Sequence, residues 1–209
     1  EAIWILGGRN NSEGALKATE MLHPRGNEVT NEHRPPMGIE RYEMGVARIS
    51  GKIIVVCGGF TTVDGNGKGS PTKNCQIGNM DHKKWAGSWN MAHRRGGLAL
   101  VEMSQSDDLV AIGGKDGDAD TVDTASILKF RGAGMTPPFV VREKQGTMYR
   151  ARYGATVTPM SSGLILLTGG MGPIKGSTAP LPSLEYYNPA DVVRARPSEM
   201  SSSSMDSMN

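Results

Sequence analysis

The sequence predicts an all-β chain in which one small sheet recurs about four times. Three observations predict it. Glycine (28) and proline (12) punctuate the 209 residues closely, which suits many short strands joined by tight turns. An apolar run closed by a glycine pair occurs four times, over residues 3–8, 53–59, 109–114 and 164–170. The first glycines of the pairs, Gly7, Gly58, Gly113 and Gly169, stand 51, 55 and 56 residues apart, a period that fits one four-stranded blade of a β-propeller.

Two further markers keep the same register. Met-x-x-x-Arg recurs as Met37 and Arg41, Met91 and Arg95, and Met148 and Arg152, each Arg lying 17 or 18 residues before its glycine pair. A short apolar segment follows each pair, at residues 15–18, 75–77, 127–130 and 184–187. The elements of a blade then follow in order. Strand a comes after the Arg, as in Gly45-Val46-Ala47 and Ala155-Thr156-Val157. Turns such as Ser50-Gly51-Lys52 lead into strand b, the apolar run, which lacks polar alternation because both of its faces are expected to be buried. The glycine pair ends strand b where backbone packs closely and leaves no room for a side chain. A variable loop leads to strand c, and a strand d runs from near Trp85 to near Met91 in the second repeat.

These markers resemble the kelch repeat, and the second repeat fits best, with Arg41, Gly58-Gly59, Trp85 and Met91 in kelch-like positions. The resemblance covers roughly residues 1–200 and implies a kelch-type β-propeller, with blades over 1–37 (lacking strand a), 38–91, 92–148 and 149–200 and a flexible tail over 201–209. The chain departs from the pattern where Val29, Val141 and Val193 stand near the place of the late Trp, and where serines follow Met200 in place of an Arg. Kelch propellers usually close with six or seven blades, so about four blades are expected to be part of a larger or multi-chain propeller. A four-bladed ring is the other reading. A piece of a longer propeller is favoured because the first repeat starts in mid-blade.

Cys57 ends strand b of the second blade and Cys75 begins its strand c, so a disulfide across neighbouring strands is geometrically reasonable. Such blades resemble those of extracellular kelch proteins, and the bond would contribute ~3 kcal/mol by closing its loop. Asn10-Asn11-Ser12 is an N-glycosylation sequon in the loop after the first glycine pair. Together these two features imply a secreted or extracellular protein. Two buried thiols and an unused sequon in a cytosolic protein are the alternative. The absence of an initial Met reads as a mature or partial chain.

Arg41, Arg95 and Arg152 start the innermost strands and are expected either to line a central channel as a cationic ring for an acidic partner, or to brace each blade by pairing locally. Asp116, Asp118 and Asp120 alternate in one loop, a spacing that suits calcium. Thr121 and Ile127 stand where an EF-hand needs Gly and Glu, so a solvated acidic loop or a simpler calcium loop remains. His23, His33, His82 and His93 form no metal-ligand pair, and no nucleophile elbow or phosphate loop is present, so no catalytic residue is assigned. Copper-radical oxidases related to galactose oxidase also use a kelch-type propeller; Tyr186-Tyr187 and Cys57 echo their ligands faintly. The net charge of +2, with Lys and Arg spread along the chain, gives no footprint for nucleic acid, and no apolar run approaches a membrane span. The sequence therefore reads as a non-catalytic interaction scaffold. It would bind a protein partner, or another chain of the same assembly, through the loops at 9–14, 60–73, 115–123 and 171–182 and the channel face. A fragment of a copper-radical oxidase and a structural building block are the competing readings.

Overall fold

A computed structural model of the protein describes residues 2–49, 51, 53–63, 68–79, 84–103, 106–117, 121–131 and 140–190. Among these residues all regular structure is β, every strand pairing is antiparallel, and no helix is long and apolar enough to cross a membrane.

The chain builds four sheets in sequence. The first contains β1 (Ile3–Leu6), a two-stranded ribbon of β2 (Arg9–Asn10) and β3 (Gly14–Ala15) standing apart from it, then β4 (Thr19–Arg25) and β5 (Glu28–Arg34), in the order β1-β4-β5. The second has β6 (Gly45–Ile49) and β7 (Ile53–Cys57), a ribbon of β8 (Phe60–Val63) and β9 (Gly69–Pro71), then β10 (Asn74–Asn79) and β11 (Lys84–Asn90). Its order is β11-β10-β7-β6. The third joins β12 (Ala99–Glu102), β13 (Leu109–Ile112), β14 (Thr124–Arg131) and β15 (Val140–Thr147) in chain order. The fourth has β16 (Thr156–Pro159), β17 (Ile165–Thr168), a ribbon of β18 (Met171–Ile174) and β19 (Ser177–Pro180), and β20 (Leu184–Tyr187), in the order β16-β17-β20. The strand expected over residues 15–18 in the first repeat begins instead at Thr19, because Ala15 is taken up by the ribbon.

The sheets pack face to face, and the cores lie between them. Period-2 alternation explains how β13 serves two cores at once. Leu109 and Ala111 join Val55, Cys57, Cys75 and Leu100 on the side of the second sheet, whereas Val110 and Ile112 join Ile165, Leu167 and Tyr187 on the side of the fourth. Burial on both faces, expected of every apolar run, holds for β7 and β13. It fails for β1, where Ile3 and Ile5 are exposed, and for Thr168 of β17, because each end sheet has a described neighbour on one side only.

The edge strands β6, β12 and β16 of three successive sheets lie side by side. A main-chain seam joins them. Gly8 N donates to Arg41 O at 2.9 Å, Gly59 N to Arg95 O at 2.8 Å and Gly114 N to Arg152 O at 2.9 Å, so each of the first three glycine pairs is bonded to the start of the next sheet. A second row runs from Gly97 N to Glu43 O and from Gly154 N to Gly97 O. All three of these residues have positive φ, at 49° for Glu43, 64° for Gly97 and 63° for Gly154.

Candidate functional site

Each Met-x-x-x-Arg segment carries its Arg across its own sheet, to the end of strand b and the start of strand c. Arg41 Nη1 donates to Gly58 O (3.0 Å) and Asn74 O (2.9 Å), and Nη2 to Asn74 Oδ1 (2.7 Å) and Gln76 Oε1 (3.3 Å). Arg95 repeats the pattern on Gly113 O, Thr124 O, Thr124 Oγ1 and Ser126 Oγ, at 2.7–3.0 Å. Arg152 does so more loosely on Gly169 O, Ser183 O, Ser183 Oγ and Glu185 Oε2, at 2.9–3.4 Å. The three are 0%, 0% and 1% exposed, and Met37, Met91 and Met148 are buried with them.

The cationic ring open to an acidic partner is therefore corrected. Their Nη atoms are used on carbonyls and strand-c side chains, which is the bracing role, while each Nε is buried with no partner among the described residues. Burial lowers Arg41 and Arg95 to about 10, opposed by Glu40 for Arg41 and chiefly by Glu143 for Arg95, so both stay charged at neutral pH. The sequence carries a signal for the brace. Polar side chains at alternate positions open strand c in each of these sheets, as Asn74 and Gln76, Thr124 and Ser126, and Ser183 and Glu185. Period-2 geometry puts both members of each pair on the face the Arg crosses.

Cys57 and Cys75 are disulfide-bonded and fully buried. They are directly opposed partners in the β7–β10 ladder, 4.1 Å apart at Cα, a little closer than the roughly 4.5 Å of a non-hydrogen-bonded antiparallel pair. Tyr186 is exposed and Tyr187 buried, both on the fourth sheet, and the Cys57 sulfur is already bonded to Cys75 rather than free to join a tyrosine.

The loops expected after the glycine pairs fold in three repeats as the ribbons β2–β3, β8–β9 and β18–β19. They line one edge of the molecule: β3 packs on β8, and bridges join Tyr42 to Phe60, Gly96 to Lys115 and Tyr153 to Met171. Side chains interlock there between successive sheets. Arg9 lies over the Tyr42 ring at 5.4 Å and Lys115 over Tyr153 at 5.0 Å. Phe60 fills the space above Gly96, where a Cβ would meet its ring at 2.2 Å. Sequence reading missed these pairs, although each joins the residue after a glycine pair to the residue after the next Arg.

Asn10 ends β2 beside the exposed tip of its ribbon. Its Oδ1 accepts from Ser12 N at 3.1 Å and Glu13 N at 2.6 Å, and its Nδ2 donates to Glu13 Oε2 at 3.0 Å. Asp116 lies 4.0 Å from His93, while Asp118 and Asp120 lie outside the described residues. Among the described residues no group of three or more His, Cys, Asp and Glu side chains is placed to hold a metal ion.

No family model matches the chain, and no curated protein matches it. Among solved structures, that of YjhT is similar to it, with a TM-score of 0.69 at 14% identity. The match covers 90% of this chain and 65% of YjhT, so the chain spans about two thirds of that protein's length. At this identity the likeness is one of fold, an all-β architecture compatible with a β-propeller.

Proposed function

We propose that the chain is an arc of a kelch-type β-propeller that acts outside the cell as a non-catalytic interaction scaffold, binding a protein partner through the ribbon edge. One contrast carries this reading. Three sheets carry the same kind of Arg brace and three glycine pairs the same main-chain seam, whereas the segments mounted on them after each glycine pair share neither length nor composition. Recognition commonly resides on variable loops held by a rigid scaffold. The Cys57–Cys75 bond and the Asn10 sequon favour an oxidising, glycosylating compartment.

The test is capture from extracellular medium by the purified chain, beside a variant whose β18–β19 ribbon is replaced by a Gly-Ser turn. A partner held by the parent and lost by a variant with unchanged circular dichroism is the expected result. Stoichiometric copper, with hydrogen peroxide produced from a primary alcohol, would overturn the reading in favour of an oxidase.

A further inference from the structure

The second, third and fourth sheets each seat an arginine in the same place. It is made by the carbonyl of the first glycine of the pair, the carbonyl to which that glycine's own N–H is bonded, and the side chain two residues further on. The first sheet has this place too. Gly7 N donates to Ala18 O at 2.8 Å, as Gly58 N does to Asn74 O, Gly113 N to Thr124 O and Gly169 N to Ser183 O. Two residues on stands Glu20, where the other sheets have Gln76, Ser126 and Glu185. Register agrees: Glu20 opposes Ile5 as Gln76 opposes Val56, each one residue before the end of strand b.

Among the described residues no arginine fills it. No donor bonds Gly7 O there, Ala18 O accepts from Gly7 N, and the Glu20 carboxylate accepts from Asn31 Nδ2 at 2.8 Å, with His33 Nδ1 at 4.0 Å. A carbonyl has two lone pairs and a carboxylate about four, so all three groups keep acceptor capacity. A guanidinium brings several donors in a fixed fork, and Glu185 on Arg152 shows that a carboxylate serves in this position. The strand that delivers the arginine is missing as well. β6, β12 and β16 each pair with strand b of their sheet, whereas β1 pairs among the described residues with β4 alone. Its other edge offers main-chain groups to an added strand. Ile3 and Ile5, on the Glu20 face, are 56% and 44% exposed, so the place is open to solvent. The arginine-headed segments 37–49, 91–102 and 148–159 are seated on their own sheets, and serines follow Met200 where an Arg would stand. The occupant is therefore a segment other than these.

We propose that the first sheet is a docking site for an extended segment of a separate polypeptide, which pairs with β1 and sets an arginine, four residues ahead of the paired stretch, on Gly7 O, Ala18 O and Glu20. The spacing is that of Arg41, Arg95 and Arg152 before β6, β12 and β16. The inference does not rest on the ribbon-edge reading, because it uses a different surface.

The probe is a fluorescent peptide with the sequence of residues 37–49, the segment that plays this part on the second sheet. Fluorescence anisotropy should show saturable binding to the 209-residue chain, with a Kd on the order of 10–100 µM, and amide exchange in β1 should slow about tenfold. Arg41→Gln in the peptide should weaken binding roughly tenfold or more. Val46→Pro with Ala47→Pro should do the same, since adjacent amides point to opposite sides of a strand and one of them must face β1. In the chain, Glu20→Lys should cost roughly tenfold or more by repelling the guanidinium. Should Glu20→Lys fail to fold, Glu20→Gln decides, with affinity expected to fall about threefold. Absence of saturable binding up to about 1 mM overturns the proposal, as does equal binding of the Arg41→Gln peptide or an affinity unmoved by the Glu20 variant. Protection appearing on β7 instead of β1 would mean that the peptide displaces the chain's own segment, and also counts against it.

Discussion

Gly7, Gly58, Gly113 and Gly169 share one backbone conformation, with φ of 55°, 63°, 63° and 63°, yet the first three and the fourth live in different surroundings. A Cβ on Gly7, Gly58 or Gly113 would stand 2.4, 2.3 or 2.2 Å from the carbonyl oxygen of Arg41, Arg95 or Arg152. One on Gly169 meets nothing within 4 Å among the described residues. The difference separates two requirements that the sequence presents as one. All four positions need glycine for a left-handed backbone, whereas three also need it because the next sheet docks against them. The glycine pair is thus a joint between sheets as well as the end of a strand.

The largest test of this contrast removes the brace behind the joint. Arg95→Met leaves the carbonyls of Gly113 and Thr124 and two hydroxyls without their donor, and is expected to cost about 3–5 kcal/mol in urea unfolding. A loss under about 1 kcal/mol would show the brace to be dispensable. Next comes the joint itself. Gly58→Ala should cost about 3 kcal/mol, combining strain at positive φ with a clash against backbone, and Gly169→Ala only about 1 kcal/mol. Equal costs would refute the distinction.

Gly96 isolates the steric part, because its φ is not positive and its missing Cβ makes room for Phe60. Gly96→Ala is expected to cost about 2 kcal/mol and to be partly rescued by Phe60→Ala, a coupling that a double-mutant cycle would read. The smallest effect isolates the conformational part. Glu43 occupies with a φ of 49° the position that Gly97 and Gly154 fill with glycine, so Glu43→Gly should stabilise by about 0.5–1 kcal/mol. Destabilisation instead would mean that the Glu43 side chain contributes more than its backbone strain costs.

Much of the fold was legible because its markers are local. Apolar runs, glycine pairs and the opposed Cys57 and Cys75 report what a residue's own strand does. What escaped depends on neighbours distant in sequence. The run at Ile3 reads like the run at Ile53, but only the latter has a sheet on either side, so the exposure of Ile3 and Ile5 was invisible. Arg41, Arg95 and Arg152 each stand four residues before β6, β12 or β16, and whether such a side chain faces water or crosses its own sheet is decided by the polar pair that opens strand c.

The division of β13 between two cores has a further consequence. No sheet here owns its interior, so loosening one sheet exposes apolar surface on the next, and cohesion passes along the array as nearest-neighbour coupling, as in a linear lattice. Among the described residues the middle sheets are packed from two sides and the outer ones from one. Amide protons should therefore exchange with solvent in a gradient, quickest in β1 and β20 and slowest in β7 and β13, so that fraying starts at the flanks and works inward.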